Sequence, residues 1–164
     1  MKNKLEKDIK EKFKAALKRL YEKEGDLLEL SEGCSESDHA GEQAIMFMVA
    51  HHLQNLLDGD IKYKGYRVDC EYNRHIADIK RVDGIIRRPD IIVHQRKTDS
   101  NNLLVVEVKG YWNPNTGEDI EKLEKFTDQS GEYRYSLGVS VIIAREYKDL
   151  DKGIIWVKNG KEEE

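Results

Sequence analysis

Two stretches decide how this chain is read: Arg88-Pro89-Asp90-Ile91-Ile92-Val93-His94 and Leu103-Leu104-Val105-Val106-Glu107-Val108-Lys109. Both are short runs dominated by aliphatic and β-branched residues, which predicts buried strands over 87–96 and 102–112. Thr98-Asp99-Ser100-Asn101 is turn chemistry, so the pair reads as a hairpin. Alternate side chains of a strand share a face, which groups Asp90 with Ile92 and His94, and Glu107 with Lys109. A turn symmetric about Thr98 and Asp99 sets Asp90 opposite Glu107, with Cβ atoms roughly 5 Å apart. Two carboxylates so placed on apolar strands repel one another. Lys109 supplies one positive charge on that face, and a hard divalent cation such as magnesium would supply the rest. A carboxylate pair with an open coordination position can hold a phosphate oxygen and an attacking water. A lysine beside that water favours its deprotonated form and stabilises developing negative charge.

Outward from this hairpin, the apolar period changes. Leu5, Ile9, Phe13, Ala16, Leu17 and Leu20 recur at helical spacing and predict a helix over 4–24, stopped at Gly25. A second helix is predicted over 40–57, with Ile45, Met46, Val49, Leu53 and Leu56 on one stripe. Glu42 lies in the middle of that stripe, where an unpartnered carboxylate is costly. Burial toward a metal or its bound water would explain it, as would the preference of a first-turn acid for the helix dipole. Residues 66–74 read as another strand, and Thr116 with Asp119 resembles a capping start for a helix over 118–129. Strands at 137–145 and 154–157 complete the order.

Pro89-Asp90, then Glu107-Val108-Lys109, preceded by a helix bearing Glu42, resembles the PD-(D/E)XK nuclease superfamily, the restriction-endonuclease-like fold. The family's order of helix, three strands, helix, strand matches 40–145, most of the chain. The resemblance implies that Asp90 and Glu107 are metal ligands and that Lys109 is the catalytic lysine. It implies the backbone carbonyl of Val108 as a further ligand and Glu42 as the helical acid, acting directly or through water. Mg²⁺-dependent hydrolysis of DNA, with Mn²⁺ able to substitute, is the implied activity. The surroundings of Asp69–Arg74 and Arg88–Arg96 look like a branch of small bacterial and phage proteins. The tripeptide alone is weak, because acid-x-Lys recurs at Asp8–Lys10, Asp60–Lys62, Asp78–Lys80 and Glu146–Lys148; none of these follows a Pro-Asp at hairpin distance.

Charge raises an objection to a nucleic-acid substrate. The 164 residues include 28 Lys and Arg against 32 Asp and Glu, for a net charge of −4, and a net acidic protein is no general polyanion binder. The sum hides opposed segments: 1–25 carries +4, 26–60 carries −8, 61–97 carries +5 and 98–164 carries −5. Arg74, Lys80, Arg81, Arg87, Arg88 and Arg96 of the basic segment are candidate nucleic-acid contacts, with Tyr63, Tyr66 and Tyr72 interleaved. Residues 78–86 read as a hairpin tip that could reach a groove. The N-terminal helix reads as a packing or dimer element.

The remaining signals are blander. His94 reads as a hydrogen-bonded structural residue, His51 and His52 as surface or rim residues, and Glu71 either as an acid beside the site or as part of a solvated strand face. Cys34 and Cys70 give no disulfide or zinc pattern. The charged N-terminus lacks an apolar leader core and no stretch approaches a membrane span, so a cytoplasmic protein is expected.

The expectation is one α/β (α+β) domain over 1–164, with an N-terminal helix (1–25) and a core (40–145). Its central mixed sheet is flanked by helices in the order α-α-β-β-β-α-β-β. The expected activity is a Mg²⁺-dependent endonuclease acting on DNA, with RNA the other candidate substrate and a homodimer the expected assembly for a sequence-specific enzyme. The alternative is a nuclease-fold accessory of a phage or defence system that binds nucleic acid or protein without cutting.

Overall fold

The computed structural model describes residues 2–29, 41–72 and 88–163, together with the backbone of four two-residue segments between 74 and 86. Helix α1 (Lys2–Lys23) places Ile9, Phe13, Ala16, Leu17 and Leu20 on one stripe, all fully buried. Burying each of the larger of these contributes about 1.5–3 kcal/mol, which fixes the face that α1 turns inward. Helix α2 (Glu42–Asp58) buries Ile45, Met46, Val49 and Leu53 against α1. His52 is also buried, with Nε2 3.1 Å from Glu24 Oε1, so it is no rim residue; His51 is exposed.

Strand β1 (Arg67–Cys70) is shorter than expected, because Glu71 turns into the left-handed region at φ 47° and donates its N–H to the carbonyl of Asp90. Glu71 therefore leaves the strand, and shares no strand face with Asp69. The backbone pairs β2 (Arg74–His75) with β3 (Asp78–Ile79), and β4 (Arg81–Val82) with β5 (Ile85–Ile86); β3, β4 and β5 lie in the 78–86 span expected to be a hairpin tip, and β2 lies before it. Strands β6 (Ile91–His94) and β7 (Asn102–Gly110) form the expected antiparallel hairpin.

Helix α3 (Gly117–Thr127) then crosses over to β8 (Leu137–Ile143), which runs parallel to β7. Strands β9 (Ile154–Lys158) and β10 (Lys161–Glu162) follow, giving a six-stranded mixed sheet in the order β1-β6-β7-β8-β9-β10. The chain is thus mixed α/β with helices flanking the sheet, as expected.

The two sheet faces differ. Ile91, Val93, Leu104, Val106, Val108, Val139 and Val141 meet α1 and α2 in the larger core. Ile92, Val105 and Val157 meet Leu123 and Phe126 of α3, with Tyr133 and Tyr135, in the smaller one. Tyr63 and Tyr66 belong to the larger core, 3% and 9% exposed; Tyr63 offers no ring for stacking on a base, and Tyr66 reaches the surface as part of a cavity wall. No described helix is long and apolar enough to cross a membrane.

Candidate active site

Pairing along β6 and β7 couples Ile91 with Val106, Ile92 with Val105 and Val93 with Leu104. Continued by one residue, that register puts Asp90 across from Glu107, as the turn argument proposed. The route differs, however. His94 pairs with Asn102, so a bulge beside the turn takes up one residue before the deeper register is reached. Period-two alternation then turns Val105, Glu107 and Lys109 toward α3, on the face of Ile92.

Glu107 is only 4% exposed. Burial, and then the nearby Asp90 charge, push its carboxyl up to about 8. Lys122 of α3 places Nζ 2.7 Å from Glu107 Oε1, but without hydrogen-bond geometry, and Oε1 has no hydrogen-bond partner among the described residues. The ammonium of Lys122 donates instead to the carbonyl of Arg88 at 2.9 Å. Asp90, just before β6, accepts the N–H of Val108 through Oδ2 at 2.7 Å. Burial raises its carboxyl despite that hydrogen bond, and the charges of Asp119 and Glu42 push the same way. Val108 thus contributes its N–H to holding Asp90 at the site.

Lys109 does not face Glu107 alone. Its Nζ lies 3.5 Å from Asp119 Oδ2, an ion pair too long for a full hydrogen bond, and that buried oxygen has no hydrogen-bond partner among the described residues. Burial raises the Asp119 carboxyl as well. Sequence reasoning placed Asp119 in a capping box, but Thr116 makes no side-chain cap and the first turn is closed by the Ile120 N–H on the Thr116 carbonyl. Asp119 and Lys122 were both missed as site residues. A signal existed: Asp119 stands four and seven residues before Leu123 and Phe126, the buried stripe of α3, the position that singled out Glu42 on α2.

Glu42 approaches from α2, on the other side of the sheet. It is partly exposed, and its Oε1 accepts the N–H of Gly110 at 3.1 Å and the side-chain amide of Asn113 at 3.4 Å. Gly110 has to be glycine here, since a Cβ would come within 2.3 Å of the Trp112 ring. Glu42 therefore pins the end of β7, next to Lys109. Among the described residues, no three His, Cys, Asp or Glu side chains are drawn together around one point. Glu42, Asp90, Glu107 and Asp119 instead form a loose acidic cluster, interleaved with Lys109 and Lys122.

His94 and Asp69 lie on the same sheet face but form a different kind of group. Nε2 of His94 is 2.9 Å from Asp69 Oδ2, and Arg96 holds the same carboxylate with Nε at 2.9 Å and with a second nitrogen. Burial would raise Asp69, but the Arg96 and His94 hydrogen bonds outweigh it and hold the carboxyl well below its usual range. Tyr72 packs edge-on to the His94 ring at 4.7 Å. His94 is buried and hydrogen-bonded, and the Arg96 guanidinium is committed to Asp69. Arg88 is exposed beside the cluster. The side chains of Arg74, Lys80, Arg81 and Arg87, and Cys34, lie outside the described residues. Cys70 is a half-buried free thiol, which burial pushes up to about 11.

No family model matches the chain, and neither the curated proteins nor the solved structures searched include a match to it.

Proposed function

We propose that this protein is a divalent-metal-dependent nuclease that hydrolyses phosphodiester bonds, in DNA before RNA. The observation that carries the reading is the pair of buried carboxylate oxygens without a hydrogen bond among the described residues, Oε1 of Glu107 and Oδ2 of Asp119, beside Asp90 at the end of β7. Native proteins rarely leave buried acceptors without a hydrogen bond, even beside an ammonium, and a ligand that completes them is one explanation. The order α2, β1, β6, β7, α3, β8 also supports the restriction-endonuclease-like reading.

The donor set suits a hard cation that takes oxygen ligands, Mg²⁺ or Mn²⁺ in its place. Asp90 and Glu107 would hold it, with the carbonyl of Val108 as a further ligand and Glu42 reaching it through water. Bound there, the ion would supply charge to a phosphoryl oxygen and lower the pKa of a bound water. Lys109 would orient the attacking water and hold it in its deprotonated form, a task for which its loose 3.5 Å pair with Asp119 leaves it free. Glu42 keeps the end of β7, and so Lys109, in place through the Gly110 N–H.

One observation favours a second reading. Lys122 already stands 2.7 Å from Glu107 and neutralises part of the cluster. A nuclease-fold accessory that binds nucleic acid or protein without cutting would keep that ion pair closed. Incubating the protein with supercoiled, single-stranded and branched DNA and with RNA, in Mg²⁺ or Mn²⁺ and beside an Asp90→Ala control, separates the two. Metal-dependent cleavage lost in the control is the expected result. A folded protein that cuts none of these substrates would leave the accessory reading standing. A Lys109→Ala variant as fast as wild type would remove the role given to Lys109.

A further inference from the structure

The opposite end of β7 carries a cavity whose charge is opposite to that of the acidic cluster. It has a volume of about 530 Å³ and lies where the N-terminal turns of α1 meet the first residues of β7. That volume is within the range of small-molecule sites, roughly 300–1,000 Å³. Leu5, Tyr66 and Leu103 give it apolar walls, and Lys4, Lys62 and Arg134 bring three cations to it; no carboxylate lines it among the described residues. In a chain of net charge −4, that excess of cations is a local departure.

The three cations are not equivalent. Lys62 is spent on Asp8 and Asp60, at 2.6 and 3.3 Å. Lys4 and Arg134 take part in no hydrogen bond or ion pair among the described residues, and both are exposed. Arg134 sits in the left-handed region at φ 50°, a conformation that costs about 1 kcal/mol or more for a residue with a Cβ. Tyr133 and Tyr135 on either side of it are both buried in the smaller core, which fixes that backbone and leaves Arg134 outside. Ser136, only 8% exposed, lines the same cavity.

We infer that this cavity is a binding site for a small organic anion. An apolar or aromatic body lies against Leu5, Tyr66 and Leu103, and one phosphate, carboxylate or sulfonate is held by Arg134 and Lys4. The site is remote from the acidic cluster, since Asn102 and Glu107 are separated by about 17 Å at 3.3–3.4 Å per strand residue. It does not depend on the nuclease reading.

The probe for the test is 8-anilinonaphthalene-1-sulfonate, an aromatic body with one fixed negative charge, used with the full chain at neutral pH. Its fluorescence should rise saturably at a single site, and the uncharged N-phenyl-1-naphthylamine should bind about tenfold more weakly or worse. Charge reversal at the two exposed positions, Lys4→Glu with Arg134→Glu, should weaken the sulfonate by about tenfold or more and leave the uncharged dye unchanged. Asp90→Ala should bind the probe like wild type. Equal binding of both dyes, or a sulfonate affinity that ignores the double reversal while the far-ultraviolet spectrum stays native, would overturn the inference. Displacement of the probe by an oligonucleotide, but not by a nucleoside monophosphate, would overturn it in favour of a nucleic-acid surface.

Discussion

Asp69 and Glu107 project from the same face of one sheet, and their surroundings treat them in opposite ways. Asp69 is gripped by Arg96 and His94, and its carboxyl is held low. Glu107 is more deeply buried, has a lysine beside it without a hydrogen bond, and is pushed up to about 8. The first arrangement is what a folded chain does with a carboxylate that it keeps for structure. The second leaves a buried carboxylate oxygen without a hydrogen bond among the described residues, the feature on which the proposed function rests.

The largest expected separation between the two is in activity. Glu107→Gln should reduce metal-dependent cleavage on the order of a thousand-fold, while Asp69→Asn should leave the rate within about threefold. Stability should divide the other way. Removing Asp69 strands His94 and Arg96 and should cost roughly 2–3 kcal/mol in urea denaturation, reduced from the fully buried case by the solvent around Arg96. Equal losses of cleavage in both variants would erase the distinction.

The next effect is in pH. The folded pKa of Glu107 lies above its ordinary value of 4.5, so its contribution to stability is complete below pH 4.5 and is lost as pH rises toward about 8. Asp69 has the reverse sign, because its folded pKa is depressed. Its contribution is present above its ordinary 3.8 and is lost as pH falls below it. Without divalent metal, the unfolding free energy should therefore fall by a few kcal/mol between pH 4.5 and 8, and Glu107→Gln should flatten that slope. If Mg²⁺ binds at the cluster, it should restore stability more at pH 8 than at pH 6, because it must displace fewer protons. A wild-type slope identical to that of Glu107→Gln would mean that Glu107 is not strained in the folded state.

The smallest effect concerns the residue read as a cap. Thr116→Ala should change stability by less than about 0.5 kcal/mol, against about 1 kcal/mol for a working N-cap, since its side chain makes no capping bond. A larger loss would return Asp119 to a capping role and weaken its place beside Lys109.

Much of this molecule was legible because periodicity is a local property. The stripe of α1 and the alternation along β6 and β7 follow from which neighbours in the chain are apolar. They located three helices and five of the six strands of the central sheet, missing only the short β10, and placed Glu107 and Lys109 on one face. The hairpin shows the limit of that reasoning: Asp90 was set opposite Glu107 by a symmetric turn, and the chain reaches the same register through a bulge at His94. Tyr63, Tyr66 and His52 were misread for a related reason. A residue in a polar neighbourhood of the sequence can still be carried into the core by the elements it connects.

By itself, the sequence determined the element types, the amphipathic faces and the acid and lysine residues that the hairpin would gather. Only the tertiary structure decided how those charges are shared. The α3 crossover brings Asp119 to Lys109 and Lys122 to Glu107, and the same sheet gives Asp69 to His94 and Arg96. Faces are set by the next few residues along the chain, whereas a charge finds its partner across distances that the sequence does not record. Which carboxylates are satisfied and which are left waiting is therefore settled by packing alone.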